Sequence, residues 1–501
     1  MAFNITQNDY DIYKQQSIQK YVKVNLLDFN YNVLEEISGN IIGMSVKIDA
    51  NSDIRRTCSC QLVVTDSSFD IQPGGRIWLD RYIQPYIGYK NLLTGDIQWY
   101  NQGIFLINAP NWNYNATTHT LSFEGLDLMS KLTGIRNGNL EGIPTVIKQG
   151  ENVREAIIDT IAMGGFTKYV VSECMTKSGD IQEIPYDINI DIGGTLFDIL
   201  KALRDILPQY QIYFDIDGVF HYDLIPSGDN ESILYDDNFL TNIVTDEKIN
   251  VDFESVKNVV EVVGCLLNPS YFNVGHVTEY PNADPPRAVM DLNLPDLYYV
   301  VSSNETPEGL PAFTTIGFVP DADVTLDLGI HVTAYIDNEN NHDFGRAWLY
   351  DYNDNKIHSL TAGTYYVFTV TTDQKLYLMG ERQIRAVAKD ENSDSPFYIG
   401  NDLGEIRIVL SGGEYDNIYN QQLADERAAW ELWKRTRLND SITLTCVPVP
   451  FVDVNVLIEY HLRGAGEIQR YMIKSVQTDY ATGGQQTINA IKYYTYYMNE
   501  G

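Results

Sequence analysis

Strand-like alternation opens and closes this 501-residue chain, and helical periodicity appears only between those two regions. A side-chain period of two commits a segment to one buried and one solvated face. "YVKVNLLDF" alternates in this way, followed by "SGNIIGMSVKID" and "TCSCQLVVTD", with Gly, Asn, Ser and Asp clusters between them. A second group, "RIWLDRYIQPYIGY", "IQWYNQGIFLINAP" and "THTLSFEGLDL", has "NWNYNATT" as a hairpin turn. Residues 1–144 are therefore predicted to form an antiparallel β domain, a barrel or a sandwich.

The period then changes. "ENVREAIIDTIAMGG" sets Val153, Ile157 and Ile161 on one helical face and stops at Gly164–Gly165. In "GGTLFDILKALRDILP", Thr195 and Asp198 have capping-box spacing, Leu196, Ile199, Leu200, Leu203 and Leu207 form the apolar stripe, and Pro208 ends the helix. "YQIYFDIDGVFHYDLIP" is a hairpin turning at Asp217–Gly218. These signals predict a small α+β domain over 145–249.

The strand "SVKNVVEVVGC" follows, and then the texture changes. Residues 266–400 are rich in Pro, Asn and Asp with short β runs, and turn signals about every ten residues predict an inserted β-sandwich. "EYDNIYNQQLADERAAWELWKRTR" is predicted to be a helix apolar on two sides. Leu423, Ala429, Trp430 and Trp433 share one side, and Ala424, Ala428 and Leu432 the other. Such a helix needs two partners, so the first side is the candidate subunit interface. The remainder is β again, and 250–265 plus 401–501 are predicted to form a discontinuous second β domain carrying this helix. Its hairpin from Arg470 has the cadence of the hairpin from Gly103, which permits one β fold used twice.

Composition narrows the function. The formal net charge of −33 excludes gripping nucleic acid through phosphate neutralisation, yet it suits a wall that DNA passes without sticking. The 35 tyrosines, against 18 Phe and 6 Trp, suit half-buried sheets and contact surfaces. Five scattered cysteines argue against a disulfide scaffold. Cys58, Cys60 and Leu62 fall on one strand face, where the thiols are expected to pack as small apolar groups. The N-terminus reads as no signal peptide, and no apolar run reaches the ~18 residues of a membrane span.

The motifs for zinc proteases, P-loops, nucleophile elbows and dinucleotide binding are all missing. No two of the seven histidines have the i,i+4 spacing of a helical metal pair. The expectation is therefore no catalytic residue, no metal and no cofactor. Tyr350, Tyr352, Tyr365 and Tyr366, in the inserted region, are candidate glycan contacts.

The domain order, together with "DIRRTCSCQLVV" (53–64), "WYNQGIFLINAP" (99–110), "LDLMSKLTGIRNGNLEG" (126–142) and "IVLSGGEYDNIYNQQLADERAAWELW" (408–433), resembles phage baseplate and tail-tip hub proteins. These include hubs of contractile tails and the N-terminal module of siphophage tail-associated lysins. The resemblance covers nearly the whole chain and is weakest over 266–400. It implies a mainly β fold with α+β parts, in which 1–144 and the discontinuous C-terminal domain are tail-tube-like barrels. It also implies a non-enzymatic homotrimer whose six barrels form a pseudo-sixfold ring closing the tail tube. The implied partners are the tail tube or distal tail protein, a spike or fibre and the tape-measure protein, with DNA passing through unbound. The protein would be assembled in the host cytoplasm into the virion, without membrane insertion. Some relatives continue into a peptidoglycan-cleaving domain, for which the stretch ending "YYTYYMNEG" leaves no room. The alternative reading is a tail adhesin whose inserted sandwich binds host-surface glycan.

Overall fold

The computed structural model describes residues 6–114, 117–142, 145–175, 181–267, 376–418, 421–463 and 467–495, plus backbone strands between 268 and 375. The chain is mainly β with α+β parts and divides into two compact units. Unit 1 comprises Met1–Ser255 and Leu438–Gly501, and unit 2 comprises Val256–Arg437.

Unit 1 contains the same five-strand antiparallel module twice. In the first copy the strands, in chain order, are Ile41–Asp49, Arg56–Val63, Tyr82–Lys90, Phe105–Tyr114 and His119–Asp127. In the second they are Val244–Asp252, Asn439–Cys446, Leu457–Tyr460, Gln469–Asp479 and Gln486–Lys492. Both sets stand in the sheet as first, second, fifth, fourth, third, and every neighbouring pair is antiparallel. The fourth–fifth hairpin carries a register shift in each copy, at Asn108/Asn111 and at Ile473/Ser475. These are the two hairpins whose cadence matched in the sequence.

The first strand of the first copy pairs with the fourth strand of the second, Ser45 with Asp479 and Asp49 with Ser475. One 14-stranded sheet results, with one hydrophobic core running from Ile12 to Ala490. The strand Arg56–Val63 shows why the pattern folds this way. Its alternate residues Arg56, Cys58, Cys60 and Leu62 are buried, while Ser59, Gln61 and Val63 are exposed. Gly125 lies opposite Cys58, where an added Cβ would sit 2.5 Å from Cys58 Sγ, so the fifth strand needs glycine there.

The middle of unit 1 follows the helix and turn signals closely. Asn152 caps the helix Val153–Met163, which ends at Gly164. Thr195 and Asp198 form the capping box of Leu196–Ile206. The hairpin Tyr210–Phe214/Phe220–Leu224 turns at Gly218 with φ of 73° and is flanked by the parallel strand Tyr169–Val171.

In unit 2 the strand Val259–Leu267 pairs with Leu376–Lys389 on one side and Arg407–Leu410 on the other. The helix Gln421–Arg435 covers them, burying Ala424 and Ala428 against Val260, Val262, Ile384 and Ala386. Beyond this frame, His276–Tyr280, Arg287–Asn293, Leu326–Thr333 and Tyr365–Val370 form a four-stranded sheet. The segment interrupting unit 1 is thus 256–437, wider than the expected 266–400. The strand Val259–Leu267 and the helix, expected beside the second β module, belong to unit 2 because their hydrogen-bond and packing partners lie there.

Candidate functional site

Residues 447–456 link the second and third strands of the second module, and most of this irregular segment lies inside the core of unit 1. A buried carbonyl outside a ladder must find another donor or cost about 1–3 kcal/mol. Four consecutive carbonyls are met by side chains. Pro448 O accepts from Tyr13 Oη at 2.9 Å and Tyr89 Oη at 2.7 Å. Val449 O accepts from Gln486 Nε2 at 2.9 Å, Pro450 O from Gln102 Nε2 at 3.1 Å, and Phe451 O from Tyr235 Oη at 2.6 Å. The Phe451 ring packs against Tyr13, Tyr100, Tyr235 and Phe239. Both modules and the N-terminal helix Gln7–Tyr13 supply these donors, so the segment fastens all three together.

A buried ion pair adds a second fastening. Arg56 Nη2 of the first module lies 2.7 Å from Asp453 Oδ2 of the linker, both nearly sealed from solvent. Asp127 accepts from the Arg56 and Met129 backbone N–H groups at 2.8 and 2.9 Å. Burial pushes its carboxyl up to about 6.

A cleft of about 400 Å³ opens beside this pair, where the first module, the 210–224 hairpin and the linker meet. Asn455 Nδ2 donates to Gln211 Oε1 at 2.7 Å, and Gln211 Nε2 donates to Asp223 Oδ1 at 3.0 Å. Lys474 Nζ donates to Asn455 Oδ1 at 2.9 Å. Behind the cleft, His221 stacks on Tyr213 between two carboxylates, with Nε2 3.1 Å from Asp215 and Nδ1 3.5 Å from Asp223. Burial works to lower the imidazole pKa, but the two carboxylates outweigh it and raise it to about 9. His221 is consequently a cation at neutral pH, fit to hold charge rather than to accept a proton as a base. The arrangement holds charged and polar groups in fixed positions around the cleft.

The main run of strands in the unit 1 sheet ends at Val33–Ser38 and Val244–Asp252, each with one partner among the described residues. Both edges expose apolar side chains. Val33 and Leu34 are 58% and 51% exposed on one, and Ile249 is 52% exposed on the other, followed by Phe253. Exposed edges of this kind are templates for pairing with another chain.

The structure places the four predicted interface residues on the helix Gln421–Arg435 of unit 2. Trp430 is only 8% exposed, while Leu423, Ala429 and Trp433 are half-buried. The Trp430 and Trp433 rings pack 5.0 Å apart, and Arg437 lies over Trp433 at 4.2 Å. The side chains of Tyr350, Tyr352, Tyr365 and Tyr366 lie outside the described residues. All five cysteines are buried and free, and burial raises the Cys58 thiol far above its usual range. Among the described residues no group of three or more His, Cys, Asp or Glu could hold a metal, and no helix is long and apolar enough to cross a membrane.

The sequence reading passed over Arg55, Arg56, Gln211, Asp453 and Asn455, which come from three distant stretches. One signal was available. In "RRTCSCQL", Arg56 shares parity with Cys58, Cys60 and Leu62, so a strand burying those residues must bury an arginine as well.

Residues 394–497 match the family model of a domain of unknown function, DUF5048. No curated protein matches the chain. Among solved structures the chain is similar to the 43 kDa tail protein of prophage MuSo2 from Shewanella oneidensis, at 10% identity and a TM-score of 0.49, over 95% of this chain and 98% of that one. It is also similar to the tail protein from Neisseria meningitidis MC58, at 10% identity and 0.48, over 94% and 96%. A third is prophage tail protein gp18 from Listeria monocytogenes EGD-e, at 8% identity and 0.42, over 94% of each chain.

Proposed function

We propose that this chain is a structural hub of a phage-type tail, at the baseplate or tail tip, and that it works as a homotrimeric ring. The observation that carries this reading is the duplicated five-strand module in unit 1, its copies paired in one sheet whose main run ends at two partly apolar strands. A chain with two like modules offers two like positions on a ring, and three chains offer six. Such a ring presents quasi-sixfold contacts to the tube it closes and threefold contacts to a central spike, with fibres and the tape-measure protein as further partners. The excess of acidic residues suits a channel that DNA crosses without being held. The charged His221 and the fastened 447–456 linker favour a rigid scaffold over catalysis.

Light scattering of the purified protein at several concentrations tests assembly. A mass near three times 56.9 kDa, unchanged on dilution, is the expected result. A monomer at every concentration would remove self-assembly from the proposal.

A further inference from the structure

One charge in the junction cleft has no counter-ion. Arg55 lines the cleft and is 5% exposed. Its Nη2 donates to Gln211 Oε1 and its guanidinium lies over the Tyr213 ring, 3.9 Å from the centroid. Among the described residues no carboxylate stands within ion-pairing distance of it. The acidic groups around it are committed elsewhere. Asp453 pairs with Arg56 and takes the Val454 N–H at 2.8 Å. Asp223 accepts from Gln211 and Tyr213 and faces His221. Glu231 accepts from the backbone N–H groups of Ser227 and Gly228 at 3.2 and 3.1 Å.

Burial holds the Arg55 guanidinium below its usual range, against the opposing pull of Asp453 and Asp223 through space. A buried guanidinium left without a contacting anion is costly, and its planar fork matches a carboxylate that can accept two parallel N–H bonds. The cleft around it has aliphatic walls, from Leu224, Pro226, Leu234, Val456 and Leu457. Gln211 Oε1 already accepts from both Arg55 and Asn455, and among the described residues it is the one side-chain acceptor that Arg55 reaches.

We infer that this cleft is a receptor for a carboxylate carried on an aliphatic stem, with Arg55 as its anchor and Tyr213 as the platform that orients the guanidinium. The chemistry fits either the terminal carboxylate of a peptide ending in an aliphatic residue or an acidic side chain flanked by aliphatic ones. The size of the cleft suits one or two residues. The inference stands apart from ring assembly, because every residue named belongs to unit 1 of a single chain.

Calorimetric titration of the full chain with three probes tests it: acetyl-Leu-Leu as the free acid, the same peptide as its amide, and acetyl-Leu-Glu-Leu-amide. The acid or the glutamate peptide should bind at least tenfold more tightly than acetyl-Leu-Leu-amide, and whichever wins identifies a terminal or a side-chain carboxylate. Arg55→Gln should lower that affinity at least tenfold while leaving the unfolding midpoint equal or higher, because it removes a charge without a contacting anion. Neither carboxylate peptide binding more tightly than the amide, no binding of either carboxylate at millimolar concentration, or full affinity in a folded Arg55→Gln chain would each overturn the inference. The comparison of both carboxylate peptides with the amide on the unaltered chain keeps the test valid even if the variant fails to fold.

Discussion

The linkers between the second and third strands of the two modules hold the same topological place and are handled in opposite ways. The first, residues 64–81, buries only Phe69 and Ile77 in the unit 1 core and leaves Ile71 and Leu79 exposed, around the short turn Ser67–Phe69. Its Arg76 pairs with Glu35 at a half-exposed surface. The second, residues 447–456, crosses the core and takes its carbonyl partners from tyrosine and glutamine side chains. Duplicated topology has therefore not produced duplicated energetics. The irregular second linker fastens the modules together and accounts for part of the chain's demand for tyrosine, whose hydroxyl reaches a carbonyl while its ring fills the core.

Breaking the second linker should hurt far more than breaking the first. Asp453→Ala strands the buried Arg56 guanidinium and should cost about 3–5 kcal/mol in urea denaturation, whereas Arg76→Ala at the surface pair should cost about 0–1 kcal/mol. Equal losses would mean the two linkers are energetically alike. Phe451→Ala, which empties a site packed by four aromatic rings, should cost about 3–5 kcal/mol, against less than about 0.5 kcal/mol for Ile71→Ala. Tyr235→Phe keeps the ring and removes one donor to Phe451 O, for a smaller loss of about 1–3 kcal/mol. A neutral result there would show that the hydroxyl is dispensable and that packing alone seats the linker.

The His221 clasp gives the smallest effect and a signature in pH. Its imidazole is raised to about 9 in the folded chain, so its contribution is fully present below about pH 6.5 and is lost as pH rises through about 9. The urea midpoint should fall across that window, and His221→Gln should flatten that part of the curve. An unchanged slope in the variant would place the pH dependence in other groups.

Local structure was readable in the sequence wherever a short motif carries its own physics. The Thr195–Asp198 box, the Gly164 stop and the Asp217–Gly218 turn each need only neighbours within four residues. The face of the strand Arg56–Val63 was readable for the same reason. Partners across long separations were not. Val259–Leu267 reads plainly as a strand, but nothing in it names Leu376–Lys389 as its mate, and so the boundary of the interrupting segment fell elsewhere. The helix Gln421–Arg435 is apolar on two sides as expected, yet Trp430 is nearly buried within a single chain. The cleft escaped notice because Arg55, Gln211 and Asn455 converge only after the two modules join.

The central claim is that a duplicated module in one chain makes six like positions from three chains. Electron-microscopic class averages of the purified particle, viewed down its ring axis, test that claim directly. A closed ring of six similar lobes around an open channel, with exact threefold and approximate sixfold symmetry, is the expected image. A particle without a ring, or a ring whose lobes do not number two per chain, would contradict it.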